Sequence, residues 1–323
     1  ARYRKVVAID CDAGRCCNVD EHGAVKCWGR EGEHSQLGYA VFDHVGDDEH
    51  LDDIPSLALP HQASQVTVGF EIACILTQVG PPPGTPVQRL VCWGMNSGNN
   101  LATRAASADR SPTEIYEQGR PLLADMQTPG ILASNQHIVD ASAGFDFACA
   151  VVGAREEANG VVYCWGSSHA GRRQEVSPGT QPNELDLVGS ATAVSCGRAG
   201  ACAVLSDGRV QCWGKLEYTA GARFGYPSSP STGALPLNGA PAVKVFVDGN
   251  YACVLHTTGN VTCWGQGSSQ VDLTGGGKLG YGDVLDNDTV SALGYVPVGD
   301  AVVDLALSYR HTCAVLVSGH LKC

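Results

Sequence analysis

Pairs of cysteines at a fixed separation constrain this chain more than any other feature. In the stretch Tyr251–Gly265, YACVLHTTGNVTCWG, a cysteine sits in an apolar segment, a turn ending in glycine follows, and a second cysteine closes it beside Trp-Gly. Cys253 and Cys263 are ten residues apart, centred on Thr258. A hairpin folded about that residue sets the two cysteines directly opposite each other. Its loop is Thr257-Thr258-Gly259, whose last position favours positive φ, which glycine adopts without penalty. Opposed positions on antiparallel strands fall within disulfide reach, so the spacing predicts a cross-strand staple.

The same unit recurs six times, near residues 6–29, 66–94, 138–166, 193–214, 243–265 and 302–323. The staples expected from it are Cys17–Cys27, Cys74–Cys92, Cys149–Cys164, Cys202–Cys212, Cys253–Cys263 and Cys313–Cys323. The second copy is lengthened by a proline-rich tip, Gly80-Pro81-Pro82-Pro83-Gly84. Each copy is preceded by a β-branched, alternating segment such as VVAID or AVKVFVDG, which reads as a first strand. Variable polar loops follow Trp-Gly and end in short apolar pieces, Ser56-Leu57-Ala58-Leu59 or Gly294-Tyr295-Val296-Pro297-Val298, that could add a fourth, outer strand. Units of three or four strands recurring every ~50–70 residues are the signature of β-propeller blades. The expectation is all-β, a single propeller domain over residues 1–323, with six visible blades. A seventh would follow if more chain does.

The pattern V-x-x-V-x-x-G…C-A-V-L-x-D-G-x-V-x-C-W-G, followed by G-x-L-G-Y-G-D, resembles the regulator-of-chromosome-condensation (RCC1-like) repeat. Its clearest copies are Ala201–Gly214 and Gly276–Asp283, with Gln36-Leu37-Gly38-Tyr39 and Phe224-Gly225-Tyr226 as further traces of the second element. The resemblance implies a propeller, typically of seven blades. A cysteine pair in every blade is a departure, and resembles a bacterial secreted and cell-surface branch. Five copies continue Cys-Trp-Gly, whereas the sixth stops at Cys323. Either the sequence is one piece of a longer protein, or the ring closes without that strand. The last blade is therefore expected to be incomplete, with an edge where a neighbouring domain or subunit could add a strand.

Fifteen cysteines leave three outside the staples: Cys11, Cys16 and Cys196. Cys11–Cys16 is a plausible extra bond across the first turn of blade one, although Cys17 could substitute for its neighbour. Cys11 and Cys196 both lie six residues before a staple cysteine, and Cys196 is left unpaired, as a buried thiol or as an intermolecular link. Each staple contributes ~2–3 kcal/mol in the chain-entropy account. Cysteine paired throughout a chain implies an oxidising compartment, so an extracellular or cell-surface location is expected. No signal peptide begins at Ala1, as in a mature chain.

Net charge is −12, which repels a phosphate backbone, so no nucleic-acid partner is expected. No run of ~18 apolar residues could span a bilayer, so no membrane insertion is expected. Gly275, Gly277 and Gly280 match a dinucleotide fingerprint, but no helix reads after them, and no cofactor is assigned. The acidic loop bearing Asp43, Asp47, Asp48, Glu49, Asp52 and Asp53 is a weak candidate for a hard cation, without the ligand spacing of an EF-hand. Asn260 and Asn287 open glycosylation sequons, so covalent glycans are possible. No nucleophile elbow or metalloprotease motif occurs, and no catalytic residue is assigned.

The reading is a non-enzymatic extracellular structural or interaction module. Its loops at 30–65, 95–137, 167–192 and 215–241 would meet other proteins, or copies of the same chain in a larger assembly. The alternative is a secreted inhibitor of a hydrolase, for which Tyr116, Tyr218, Phe224 and Tyr226 would be the aromatic face.

Overall fold

The computed structural model describes residues 5–12, 14–30, 37–39, 44–46, 48–57, 59, 62–79, 87–94, 136–154, 157–166, 183–198, 200–214, 233–249, 251–265, 277, 279–282, 293–308 and 311–323. They form nineteen strands and no helix. Blade one is β1 (Val6–Asp12), β2 (Arg15–Asp20) and β3 (Val25–Gly29); blade two is β4 (Ala63–Val68), β5 (Ile72–Val79) and β6 (Val87–Gly94). Blade three is β7 (Gln136–Ala143), β8 (Phe147–Ala154) and β9 (Val161–Gly166), with β10 (Asn183–Glu184) outside it. Blade four is β11 (Ala191–Cys196), β12 (Gly200–Leu205) and β13 (Val210–Gly214); blade five is β14 (Ala242–Asp248), β15 (Tyr251–His256) and β16 (Val261–Gly265). Blade six is β17 (Val302–Ser308), β18 (His311–Leu316) and β19 (Leu321–Lys322). Each blade is an antiparallel meander, and the first strands of successive blades lie against one another, innermost in the fold.

Strand alternation explains why Cys and Trp are adjacent. Successive side chains point to opposite faces. Cys149 and Cys164 turn toward blade four, packing with Val194, Ala201 and Trp213, while Trp165 turns back among Ile72, Leu76 and Leu90 of blade two. Trp165, Trp213 and Trp264 are almost wholly buried, Trp93 nearly so, and Trp28 only partly. Each core is thus shared between two blades, and no hairpin has one of its own.

The glycine after each tryptophan is a backbone requirement. Gly29, Gly94, Gly166, Gly214 and Gly265 all have φ between 105° and 121°. At Gly29, Gly94 and Gly166 a Cβ would also strike the carbonyl of the preceding strand's turn. The hairpin glycines Gly23, Gly208 and Gly259 hold the next blade: their carbonyls accept the N–H groups of Ala63, Ala242 and Val302 at 2.8–2.9 Å. Every first strand carries a β-bulge at the same register, which twists it away from strict pairing.

The expected fourth strand is corrected in part. It exists in blade three as the two-residue β10. In blades one, four and five the apolar piece makes a single bond, from the N–H of Leu57, Leu235 or Val296 to Val25, Val210 or Val261, and then turns back on itself. The next N–H that would face the third strand, at Leu59, Leu237 or Val298, donates instead to the carbonyl of Leu57, Leu235 or Val296 at 2.8–2.9 Å. In blades one and five a tyrosine serves the third strand instead. Tyr39 Oη accepts the Cys27 N–H at 3.0 Å and donates to the Pro55 carbonyl; Tyr281 does the same with Cys263 at 3.2 Å and Gly294. Leu37 and Leu279, two residues earlier, fill the core below.

Candidate functional site

The two- and three-residue turns that join first and second strands gather on one rim of the propeller. Glycines let these turns stack closely. A Cβ on Gly144 would lie 2.5 Å from the Gly197 carbonyl oxygen, and one on Gly69 would overlap the Gly144 carbonyl. The turns are bonded blade to blade: Phe70 N–H donates to Gly144 O (3.3 Å), Glu71 N–H to Phe145 O (2.9 Å), and Phe145 N–H to Gly197 O (3.2 Å).

This stacking builds a column of side chains. Phe70 and Phe145 lie ring over ring, with centroids 4.2 Å apart and planes inclined by 14°. Arg15 covers the outer side of Phe70 with its guanidinium 5.8 Å from the ring centroid, and Arg198 covers Phe145 at 5.2 Å. Arg15 also donates to the Phe70 carbonyl and is buried, whereas Arg198 is exposed and Phe70 is 42% exposed. Four consecutive blades therefore present two phenyl rings between two guanidiniums, a composition typical of protein-binding surfaces. The column was not singled out from sequence. Its signal was there, since Gly-Phe-Glu and Gly-Phe-Asp stand at the same offset, with phenylalanine four residues before the first staple cysteine.

Below the rim the seams carry titratable groups. Asp10 and Asp140 accept backbone N–H groups from the next blade, and removal from water raises each carboxyl to about 6. Burial likewise pushes the Cys196 thiol far up, against the lowering effect of a hydrogen bond from Ser142. Tyr251, also raised by burial, bridges to blade six, its hydroxyl meeting Ser308 O (2.9 Å), His311 O (3.1 Å) and Thr312 Oγ1 (3.0 Å). Burial holds the His256 imidazole below its ordinary value, between the Ala240 carbonyl and the Thr262 hydroxyl.

The structure pairs Cys17–Cys27, Cys74–Cys92, Cys149–Cys164, Cys202–Cys212, Cys253–Cys263 and Cys313–Cys323, with Cα–Cα distances of 4.0–4.1 Å. Between the alternatives left for blade one, register decides: Cys11 stands opposite Cys16, which it bonds, and Cys17 opposite Cys27. Cys196 is free and buried.

The weak cation loop is tied into local turns. Glu49 Oε2 accepts the Gly46 N–H at 2.8 Å, and Lys26 Nζ reaches the carbonyls of Leu51 and Asp52. Asp48, Asp52 and Asp53 are exposed, Asp43 and Asp47 lie outside the described residues, and no cluster of three metal-ligating side chains occurs among those described. Gly277 and Gly280 form a turn closed by the Gly280 N–H on the Gly277 carbonyl, above buried Leu279. Gly275 lies outside the described residues.

Asn260 is exposed, but its Nδ2 donates to Thr258 Oγ1, and the sequon hydroxyl on Thr262 is buried against His256. Asn287 lies outside the described residues, as do the inhibitor-face aromatics Tyr116, Tyr218, Phe224 and Tyr226. Most of the four variable loops does too. Among the described residues, the indole N–H groups of Trp165, Trp213 and Trp264 are buried without an acceptor.

The regulator of chromosome condensation (RCC1) repeat model matches residues 191–215, the first strand and stapled hairpin of blade four. Among solved structures, human WBSCR16 superposes with a TM-score of 0.71 at 18% identity, over 98% of this chain and 75% of that one. Prp20p from Saccharomyces cerevisiae gives 0.58 at 16% identity, over 92% of this chain and 64% of its own. The ectodomain of the Physcomitrella patens receptor kinase CR4 gives 0.52 at 16%, over 98% of this chain and 62% of that one. The chain thus spans less than two thirds of the latter two, and at these identities the likeness is one of fold. These matches show a β-propeller fold with an RCC1 repeat matched over residues 191–215, stapled by seven disulfides.

Proposed function

We propose that this chain is a non-enzymatic extracellular interaction module, a rigid propeller whose first-turn rim meets other proteins. The observation that carries this reading is the Arg15–Phe70–Phe145–Arg198 column. Phe70 and Arg198 are exposed where a core would hide such residues, and the column offers groups suited to binding another protein. Seven disulfides that use every cysteine except Cys196 support an oxidising, extracellular setting. Two likenesses point the same way. Prp20p binds Gsp1p and histones, and the CR4 structure is the ectodomain of a receptor kinase.

A photo-crosslinking side chain placed at Phe70, in protein secreted through an oxidising compartment, tests the reading. A discrete adduct at position 70, absent when the same group replaces Ser318 on the opposite hairpin end, is the expected result. Its mass separates a foreign protein from a second copy of the chain. Equal, diffuse labelling at both positions would sink the proposal.

A further inference from the structure

The sequence holds two Asn-Gly pairs, Asn159-Gly160 and Asn238-Gly239. Such a pair carries its own reaction. The backbone nitrogen of the glycine, which no Cβ shields, attacks the side-chain carbonyl carbon of the asparagine. A C–N bond forms, the amide nitrogen leaves as ammonia, and a five-membered succinimide remains. Water then opens that ring at either carbonyl, giving aspartate or isoaspartate. The balance needs water alone, with no oxidant, metal or second protein. The attacking nitrogen must first leave any acceptor it serves and give up its proton, so the fold decides which pair reacts.

The two pairs are held differently. Gly160 N–H donates to the carbonyl of Ala191 in blade four at 2.8 Å, and Gly160 O accepts the Ala191 N–H at 2.7 Å. A Cβ at Gly160 would overlap the Val152 carbonyl, so its backbone is enclosed, and Asn159 beside it is half-buried. Asn238 and Gly239 are both exposed, on the connection that leads into the first strand of blade five. Among the described residues the Gly239 N–H has no acceptor. The segment that follows is tied down at every residue. Ala240 N–H donates to Tyr295 Oη at 3.0 Å, and its carbonyl meets His256 Nδ1. Pro241 O accepts the Thr257 N–H at 2.9 Å, and Ala242 N–H donates to Gly208 O at 2.9 Å.

We propose that Asn238 is a self-modification site, at which the folded chain takes up water and loses ammonia to become aspartate or isoaspartate, while Asn159 is preserved. The two products differ in consequence. Aspartate leaves the backbone as it was and adds a charge in solvent. Isoaspartate inserts a methylene into the backbone two residues before Ala240, whose N–H and carbonyl clamp Tyr295 and His256. That product loosens the clamp.

Peptide mapping by mass spectrometry of the intact chain, aged in mildly alkaline buffer, reads both positions at once. Asn238 should convert at least about tenfold faster than Asn159, because the Gly160 N–H must first open an inter-blade bond. In the reduced chain held unfolded in guanidinium, neither glycine keeps an acceptor, and the two rates should converge. Equal rates in the folded chain, or a ratio that survives unfolding, would overturn the proposal. Asn238→Gln, whose longer side chain closes a six-membered ring only slowly, should fold as the wild type and lose the product. Amide exchange at Ala240 reads the clamp: it should accelerate in the isoaspartate fraction and stay at the wild-type rate in Asn238→Asp. Unchanged exchange in the isoaspartate fraction, or equal acceleration in Asn238→Asp, would overturn the role given to the added methylene.

Discussion

The Ser195 hydroxyl accepts the backbone N–H of Val247 across the seam between blades four and five, at 3.0 Å. It is the last of four equivalent joints made by Asp10, Thr67, Ser142 and Ser195. A first strand lies at the inner edge of its sheet, so its outward N–H groups have no ladder partner. The preceding blade supplies the acceptor from one fixed position. In blade five that position is Phe246, opposite Cys253, which offers no oxygen. A different contact bridges that seam: the Tyr251 hydroxyl donates to the carbonyls of Ser308 and His311 and meets the Thr312 hydroxyl at the first turn of blade six.

Ser195→Ala should leave the Val247 N–H without its acceptor and cost ~1–2 kcal/mol. Ser195→Thr, which keeps the hydroxyl as in blade two, should cost less. Exchange at the Val247 amide distinguishes this from general loosening. It should accelerate more than that of Cys196, whose acceptor Ser142 is untouched. Equal acceleration of both amides would show that the hydroxyl does not hold this seam in particular.

Gly144→Ala tests the close stacking of the rim. The new methyl would meet the Gly197 carbonyl at 2.5 Å and the Phe147 ring at 2.8 Å, so the turns of blades three and four must separate. A loss of ~1–3 kcal/mol is expected, read as a lower denaturant midpoint. Gly294→Ala is the control, since nothing lies within 4 Å of its Cβ direction. If the two variants match, the rim is not packed as described.

The hairpins were legible because a disulfide demands opposed positions, and a ten-residue spacing about a glycine turn leaves one register in which cysteines oppose. Cys253 facing Cys263 and Ala252 facing Trp264 follow from that single constraint. The joints between blades were not legible, although their residues stand in column seven places before each first staple cysteine. Asp10 and Val68 are 58 residues apart, and only the packed blades show that one serves the other. The same holds for Phe70 and Phe145, whose repeated Gly-Phe-acid motif acquires meaning only when adjacent turns are seen to stack. The outer strand was over-read. Alternating leucines and valines at Leu235-Pro236-Leu237 and Val296-Pro297-Val298 are apolar enough for a strand, yet the second apolar N–H of each piece folds back onto the carbonyl of the first, as it does at Leu57 and Leu59, and ends the ladder after one bond.

The free cysteine offers a last test of the repeat. Cys196 pairs in register with Ala201 as Cys11 pairs with Cys16, and the latter two are bonded with Cα atoms 4.1 Å apart. In blade one the adjacent Cys17 still forms its own staple, so neighbouring cysteines can serve separate bonds on opposite faces of one strand. Ala201→Cys should therefore recruit Cys196 into an eighth disulfide when the chain folds under oxidising conditions. Closing so short a loop contributes ~2 kcal/mol in the chain-entropy account, provided the buried site admits the second sulfur. Thiol titration under denaturing, non-reducing conditions should fall from one free thiol to none, and peptide mapping should place the new bond between positions 196 and 201. A bond from position 201 to Cys212, with Cys202 set free, would mean that the register of blade one does not carry over to blade four.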